Sequence, residues 1–232
     1  GRRAKALQNR EALSCIQKNW ITKSNFRFSA DLIAGLPYQT DKEFLRGVEE
    51  LVSYSPDHIS LYSLMLEEGT PLTKAIDCEK VPYDVDKADM QWLLGRDALV
   101  KAGYAQYEVS SFCKPHCESK HNMVYWRLDS YIGIGSGGTG TVGNPITGEA
   151  FRWTGVKDIS VYCDSLKTDT EIISKEERRI EFLMMGFRTA QGVNTIEYKK
   201  RFGHSLSDDI GNVFAQWQKR SLAFKHTIRL EK

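Results

Sequence analysis

The spacing of apolar residues predicts alternating helices and strands along the first half of the chain. Residues 5–18 have the periodicity of a helix, and residues 26–34 have the composition of a strand that ends at Gly35. Thr40 and Glu43 have the spacing of a capping box, which predicts that the next helix begins there. The remaining elements predicted in this half are a strand at residues 58–66, a helix at residues 86–102 that ends before Gly103, and a strand at residues 105–110.

This order of elements predicts parallel strands joined by helical crossovers. Each strand–helix unit has the length that such a crossover needs. In sheets and barrels of this kind, ligands bind at the carboxyl ends of the strands, so polar residues at those ends are candidates for a site. The candidates by this criterion are Asp31, Glu67, Glu108 and Ser110.

The last part of the chain has a different, mainly helical pattern. Ser174 and Glu177 have the spacing of a second capping box, ahead of a helix with a regular apolar set. The later predicted elements are helices at residues 195–202 and 207–220 and a strand at residues 226–230. Three helices and a strand predict a small winged-helix-like module.

Composition and charge disfavour several classes of protein. With 32 basic and 30 acidic residues, the chain has no long-range attraction to nucleic acid, and nothing in its charge indicates peripheral membrane contact. No apolar run is long enough to span a bilayer. The five cysteines, an odd number, favour a reducing compartment over a disulfide framework, so we expect a cytoplasmic protein. Since the chain starts at Gly1 rather than at methionine, we expect it to be part of a longer protein.

The stretch from His121 to Trp126 is the strongest candidate for a binding site. It places a histidine, an amide and two large aromatic side chains close together, and a glycine-rich run at residues 133–140 follows it. Glycine allows the backbone to approach a flat or phosphate-bearing ligand closely. The two segments together predict a pocket wall for a large planar ligand, with a plain glycine-rich turn as an equal alternative for residues 133–140.

A dinucleotide site and a zinc site are both disfavoured. The glycine run matches GxGxxG, but a dinucleotide site needs a helix directly after the glycines, and residues 141–145 cannot begin one promptly. Cys113, His116 and Cys117 could in principle hold zinc. No second cysteine pair has a suitable spacing, so incidental cysteines in a loop are the better interpretation.

Asp31 and His121 each have two interpretations. Asp31 is either a buried carboxylate that caps the turn at Gly35 or an acceptor for ligand hydroxyls at the end of a strand. His121 is either a histidine of the core or a haem-iron ligand that is flanked by aromatic rings. The residues alone leave both alternatives open.

Five blocks of the sequence resemble HemN/HemW-type radical S-adenosylmethionine proteins. The last three of these blocks point to the HemW branch, and the tail resembles the family's small C-terminal helical domain. The blocks are DLIAGLPYQT at residues 31–40, PDHISLYSL at residues 56–64, QYEVS at residues 106–110, HNMVYW at residues 121–126 and YIGIG at residues 131–135.

The resemblance implies an α/β fold: the C-terminal half of a partial (β/α) radical-SAM barrel of the TIM type, followed by a helical, winged-helix-like domain. It divides the chain into a barrel part at residues 1–150, a linker or helix at residues 151–173, and the C-terminal domain at residues 174–232. It also implies a [4Fe–4S] cluster with S-adenosylmethionine on its open iron. The CxxxCxxC loop that would hold the cluster is expected upstream of Gly1, and none of the five cysteines matches it.

The resemblance implies two sets of binding residues, and it assigns no catalytic residue. For S-adenosylmethionine, Asp31 matches the acidic residue on the ribose hydroxyls, and Arg2 matches an arginine that pairs with the methionine carboxylate. Tyr62 and Met65 are the first and last residues of the strand end that matches the segment along the adenine. Thr139 is the remaining cofactor position. For haem, the matching positions are His121, Asn122, Tyr125 and Trp126 of the HNxxYW motif.

The function implied is that of a haem chaperone that delivers haem to respiratory proteins. The alternative is an oxygen-independent coproporphyrinogen III oxidase-like enzyme, although true oxidases of the family lack the HNxxYW block. A third interpretation is a scaffold that has lost its ligand, because the family's Gly-Pro-Gly-Ala-His type block is replaced at residues 135–139 by Gly-Ser-Gly-Gly-Thr.

Overall fold

The chain divides into two units, residues 1–123 and 124–232. A computed structural model describes residues 2–21, 26–165 and 168–223. Among the helices of these ranges, none combines the length and the apolar character that a membrane crossing requires. The strand predicted at residues 226–230 lies outside the described residues.

Helices and a four-stranded sheet form the first unit. Helix α1 (Arg2–Ile16) continues as a π-helical turn at Gln17–Ile21. The elements that follow are β1 (Ser29–Ala34), α2 (Asp41–Ser53), β2 (His58–Ser63), α3 (Pro71–Asp77), α4 (Val85–Lys101), β3 (Ala105–Gln106) and β4 (Ser111–Cys113). Helix α5 (Lys120–Trp126) contains the last residues of the first unit and the first residues of the second.

Local signals account for the ends of these helices. The capping box predicted for α2 is confirmed: the Glu43 amide donates to Thr40 Oγ1 at 3.3 Å, and the Thr40 amide donates to Glu43 Oε2 at 2.9 Å. The predicted end of α4 is also confirmed, since Gly103 adopts a left-handed φ of 91° just beyond it. Helix α3 was not predicted, although Thr70 as N-cap and Pro71 in the first turn are a helix-start signal.

The sheet has the strand order β1-β2-β4-β3. Strands β1 and β2 are parallel, as predicted, with α2 as their crossover. One face of the sheet is apolar and packs against α2 and α4. The buried residues of this core are Ala34, Phe44, Val48, Leu51, Ile59, Leu61, Leu99, Tyr104 and Phe112. Each such side chain contributes about 1.5–3 kcal/mol of hydrophobic free energy, so this layer fixes the sheet beneath the candidate site.

The prediction that the last strand of this half continues the parallel arrangement is wrong. The predicted strand at residues 105–110 ends at Gln106, and the chain then turns back into β4, which lies between β2 and β3 and is antiparallel to both. The Glu108 carboxylate accepts the Ser110 amide at 3.0 Å within this turn. The side chain thereby closes the turn locally, and apolar periodicity does not report such a contact.

The second unit contains a three-stranded antiparallel sheet with the strand order β5-β6-β7. Its strands are β5 (Thr139–Gly143), β6 (Ala150–Gly155) and β7 (Thr168–Ile173), and helix α6 (Ile159–Ser165) joins the last two. Residues 151–173, for which the sequence suggested a linker or a helix, therefore carry two strands as well as a helix. The prediction that no helix follows the glycine run is confirmed, because β5 begins there.

Three helices follow, at the positions that the sequence predicted. They are α7 (Lys175–Gly186), α8 (Thr195–Phe202) and α9 (Leu206–Lys219). Ser174 and Glu177 make the predicted capping box at α7. A small aromatic core of Phe182, Tyr198 and Phe202 holds these helices together.

Candidate functional site

One face of the four-stranded sheet carries most of its polar side chains. Directly paired residues point to the same side of a sheet, and successive residues alternate between the two sides. The other side is the apolar core, so the polar side carries most of the sheet's hydrogen-bonding side chains. Its rows are Ser29–His58–Cys113, Asp31–Ser60–Ser111 and Ile33–Tyr62.

His58 forms the centre of a hydrogen-bonded chain on this polar face. Its Nδ1 lies 2.9 Å from Ser29 Oγ, and its Nε2 lies 2.8 Å from the Tyr107 hydroxyl. Burial lowers the pKa of His58, against the opposing effect of the nearby Glu108 and Asp31 carboxylates. Burial also raises the pKa of Tyr107. The pair is therefore a neutral imidazole beside a protonated phenol.

Asp31 is exposed, so its interpretation as a buried carboxylate that caps the turn at Gly35 is wrong. It occupies the middle of β1 and points away from the core, because the alternation of the strand puts Ala30 and Leu32 on the inner side. The Gly35 amide instead donates a hydrogen bond to Gln91 Oε1 at 3.0 Å. The Asp31 carboxylate is thus available to accept hydrogen bonds from a ligand.

A cavity of about 960 Å³ lies beside Asp31, between α1, the edge strand β1 and α2, and Ala30 and Leu32 of the apolar side of β1 also line it. Gln39 also lines it, and the side-chain oxygen of this residue is buried without a hydrogen-bond partner in the described part of the chain. A carboxylate and an unpaired amide oxygen are two acceptors that suit the hydroxyls of a ribose. These residues fit the nucleoside half of S-adenosylmethionine.

The other predicted cofactor residues lie in different places. Tyr62 and Met65, at the carboxyl end of β2 and just beyond it, are 43% and 84% exposed and so accessible to an adenine ring. Thr139 begins β5 in the second unit, where its hydroxyl lies 2.9 Å from the Thr154 hydroxyl. Arg2 is in the first turn of α1, and its side chain lies outside the described residues.

The described residues do not fit a [4Fe–4S] cluster. Such a cluster needs three cysteines that converge, and no group of three potential metal ligands occurs within the described ranges. Cys113 is buried on β4, and burial raises the pKa of its thiol to about 11, which keeps it protonated. Cys15, Cys78 and Cys163 are exposed and lie on other elements.

All four residues of the HNxxYW motif lie on the seven-residue helix α5. Positions four residues apart share a helix face. His121 and Tyr125 therefore share one face of α5, and Asn122 and Trp126 share the adjacent face. His121 is exposed, while Met123 is buried at 7% exposure and anchors the opposite side. The interpretation of His121 as a core histidine is therefore wrong, and an exposed imidazole can reach a haem iron.

The start of α5 is held by contacts from outside the helix. Ser119 precedes it, and its hydroxyl accepts the Asn122 amide at 3.3 Å while its carbonyl accepts the Met123 amide at 3.0 Å. The Ser119 amide in turn donates to the Tyr107 hydroxyl at 3.3 Å. The hydrogen-bonded chain of the polar face therefore ends at the first turn of the motif helix.

Apolar surface adjoins the second half of the motif. The Tyr125 ring packs edge-on against Tyr131, with ring centroids 4.7 Å apart. Beyond Tyr131, Ile132 and Ile134 are 74% and 87% exposed. Exposed aliphatic side chains next to packed aromatic rings suit a large, mostly apolar ligand. The sequence had marked these isoleucines only as part of a family block, because exposure cannot be inferred from residue type.

The glycine run is required by the packing of the protein itself. A Cβ atom on Gly133 would lie 2.1 Å from the Thr139 carbonyl oxygen, and one on Gly138 would lie 2.8 Å from the Ile134 carbonyl oxygen. A Cβ on Gly140 would lie 2.1 Å from the Trp153 ring. Of the two alternatives left open for this run, these contacts favour the tight glycine-rich turn over a ligand-facing wall.

His58 and Tyr107 are the residues that sequence reasoning did not single out. A histidine at the start of a predicted strand was a usable signal, since a buried polar side chain needs a partner. The identity of that partner, 49 residues away, depends on the β3–β4 turn and could not be inferred from local pattern.

Comparisons with known proteins indicate the family and the fold. A family model, the HemN C-terminal domain, matches residues 173–222. A "Heme chaperone HemW" of Haemophilus influenzae is 35% identical over 184 residues, which cover 78% of this chain and 46% of that protein. "Radical S-adenosyl methionine domain-containing protein 1, mitochondrial" of Mus musculus is 35% identical over 193 residues, covering 78% and 43%.

The chain is a HemW-like sequence of the HemN/HemW family. This HemW-like chain spans about half the length of the curated relatives it matches; for the Lactococcus lactis heme chaperone, 29% identical, the shares are 90% of this chain and 55% of the relative.

The fold of the HemW-like chain matches a solved radical-SAM structure. Coproporphyrinogen III oxidase (HemN) from Escherichia coli superposes with a TM-score of 0.62 at 13% identity, over 91% of this chain and 52% of that one. The α/β fold with part of a radical-SAM barrel and a HemN-type C-terminal domain is thereby confirmed. The sheet of the described residues is open, with β1 and β3 as its edges.

Proposed function

We propose that this HemW-like chain is part of a haem chaperone that binds haem at helix α5 and delivers it to haem proteins. The observation that carries the proposal is the exposure of His121 on a short helix that also presents Asn122, Tyr125 and Trp126. The names of the curated relatives, heme chaperones at 35% identity in Haemophilus influenzae and 32% in Buchnera aphidicola, support the same function.

Each residue of the motif has a chemical role in this proposal. The imidazole of His121 is the ligand to the haem iron. Tyr125 and Trp126 of the same helix contribute aromatic surface against the macrocycle. Asn122 offers an amide to the polar edge of the porphyrin. The partners that follow are haem itself and haem-accepting respiratory proteins in the cytoplasm or at its boundary.

The radical-SAM scaffold is proposed to hold S-adenosylmethionine in the first unit. Asp31 and Gln39 accept hydrogen bonds from the ribose hydroxyls, and Tyr62 and Met65 lie along the adenine. Thr139 and Arg2 are the further positions that the family resemblance suggests. The cofactor, bound to a [4Fe–4S] cluster, would supply radical or redox chemistry, and the cluster ligands are not among the described residues.

A transfer experiment separates this function from that of an enzyme. The full-length protein is loaded with haem and mixed either with an apo b-type respiratory cytochrome or with apomyoglobin, which reports passive release of haem. We expect transfer to the cytochrome to be faster than the passive rate. Equal rates for the two acceptors would contradict delivery, and formation of protoporphyrinogen from coproporphyrinogen III by the reconstituted protein would instead establish the oxidase-like alternative.

A further inference from the structure

Helix α5 is too short to set its own position. Isolated helices below about 12–15 residues are marginal in water, and α5 has seven residues. Its placement therefore depends on contacts with the rest of the protein. Within the first unit those contacts are the buried Met123 side chain and the hydrogen bonds at Ser119, just before the helix.

Ser119 is fixed through a side chain that is distant in sequence. Its amide donates to the Tyr107 hydroxyl, and that hydroxyl also bonds His58 Nε2, whose Nδ1 contacts Ser29 Oγ. Tyr107 and His58 are 8% and 6% exposed, so the middle of this hydrogen-bonded chain is shielded from water, whereas Ser29 at its end is exposed. The His58 imidazole thus links the Ser29 and Tyr107 hydroxyls, and the phenol oxygen accepts a hydrogen bond from the Ser119 amide.

We propose that Tyr107, oriented by His58, is a positioning residue that sets the first turn of α5 and so aims His121 and Asn122 at haem. This proposal rests on the haem-binding function proposed above. His121 lies two residues beyond Ser119, so a shift of the Ser119 amide moves the imidazole directly. Buried, fully paired hydrogen-bond chains of this kind specify one arrangement, which is what a metal-ligating histidine needs.

The test compares two buried tyrosines of the full-length protein. Tyr107→Phe removes the hydroxyl that bonds both the Ser119 amide and His58 Nε2. Tyr104→Phe is the matched control, because Tyr104 is 4% exposed and its hydroxyl donates to the Pro56 carbonyl at 2.7 Å, away from α5. We expect both variants to lose stability in urea, Tyr107→Phe more than Tyr104→Phe, because its hydroxyl has two partners and that of Tyr104 has one.

Haem binding should distinguish the two variants. In a titration followed by Soret absorbance, Tyr107→Phe is expected to lose about fivefold in affinity, the equivalent of one hydrogen bond, with an altered Soret maximum of the complex. Tyr104→Phe is expected to keep the parent affinity and spectrum. Equal affinity and identical spectra for the two variants would overturn the positioning role while leaving haem binding in place.

Two substitutions of His58 test whether its imidazole orients Tyr107. Glutamine can place an amide near the position of Nε2 and retain the bond to Tyr107, whereas leucine cannot. His58→Gln is therefore expected to keep most of the haem affinity and the parent Soret maximum, and His58→Leu is expected to resemble Tyr107→Phe. Equal haem affinity and Soret position in the two His58 variants would overturn the assigned role of the imidazole.

Amide hydrogen exchange tests the positioning role of Tyr107 without a haem-binding readout. If the parent protein binds no haem, the proposed function fails, and exchange of the amides of residues 119–123 then decides the positioning. Faster exchange there in Tyr107→Phe than in Tyr104→Phe supports the hydrogen-bonded chain as the anchor of α5. Equal exchange in the two variants overturns it.

Discussion

Gly35 occupies a position that no other residue can take without strain. Its φ is 81°, and a Cβ atom there would lie 2.3 Å from Ala88 Cβ. Gly69 has a similar φ of 78° but open space around it. We expect Gly35→Ala to lower the free energy of unfolding by about 3 kcal/mol, from backbone strain plus overpacking, and Gly69→Ala by about 1 kcal/mol from strain alone.

Urea unfolding of the two glycine variants beside the parent measures both effects. Because the backbone strain is similar at the two positions, the difference between the variants reports the contact with helix α4. Equal losses would contradict the close packing of Gly35 on Ala88.

His58 should make stability depend on pH. Burial lowers its pKa in the folded state, so the unfolded chain takes up a proton more readily below its ordinary pKa of about 6.5. Stability is therefore fully present above that pH and is lost as the pH falls below it. We expect the urea midpoint to fall more between pH 7 and pH 5 in the parent than in His58→Gln; a parallel decline in both proteins would rule out His58 as the source.

Residue type was predictable at the site, but exposure was not. The sequence singled out Asp31 and His121 as candidate positions and left their burial open. The structure exposes both, because the β1 alternation turns Asp31 away from the core and the burial of Met123 turns His121 outward. His58 escaped notice because its partner, Tyr107, comes from a different element.

At the scale of elements, the capping boxes were the most reliable signals in the sequence. They marked the starts of α2 and α7 because the side chain and the backbone amides that satisfy each other lie within four residues. The reversal at β4 and the β5–β7 sheet were missed. Both depend on pairing between strands, which apolar spacing in a single segment does not encode.

The capping box of α7 makes a prediction of its own. Ser174→Ala removes the acceptor for the Glu177 amide and is expected to lower the free energy of unfolding by about 1 kcal/mol. Ser160→Ala, on the exposed surface of α6, is the control and should leave stability unchanged. Equal thermal shifts for the two variants would show that this cap contributes nothing to the stability of the C-terminal helices.

At the scale of the whole molecule, the fold and the proposed function rest on different observations. The radical-SAM fold and the HemN-type C-terminal domain agree with a solved structure and a family model. The haem-binding function depends on one short helix and on the names of the relatives. Since this chain covers about half of those relatives, the part of the proposal that its own residues can test is His121 as the haem ligand.

The most direct test is an anaerobic haem titration of the full-length protein, followed by Soret absorbance, with His121→Ala and His116→Asn alongside. His116 is an exposed loop histidine with a φ of 62°, which asparagine tolerates, and it serves as the control. The account predicts a saturable Soret shift in the parent and in His116→Asn that is lost in His121→Ala. An unchanged shift in His121→Ala, or no shift in the parent, would contradict α5 as the haem site.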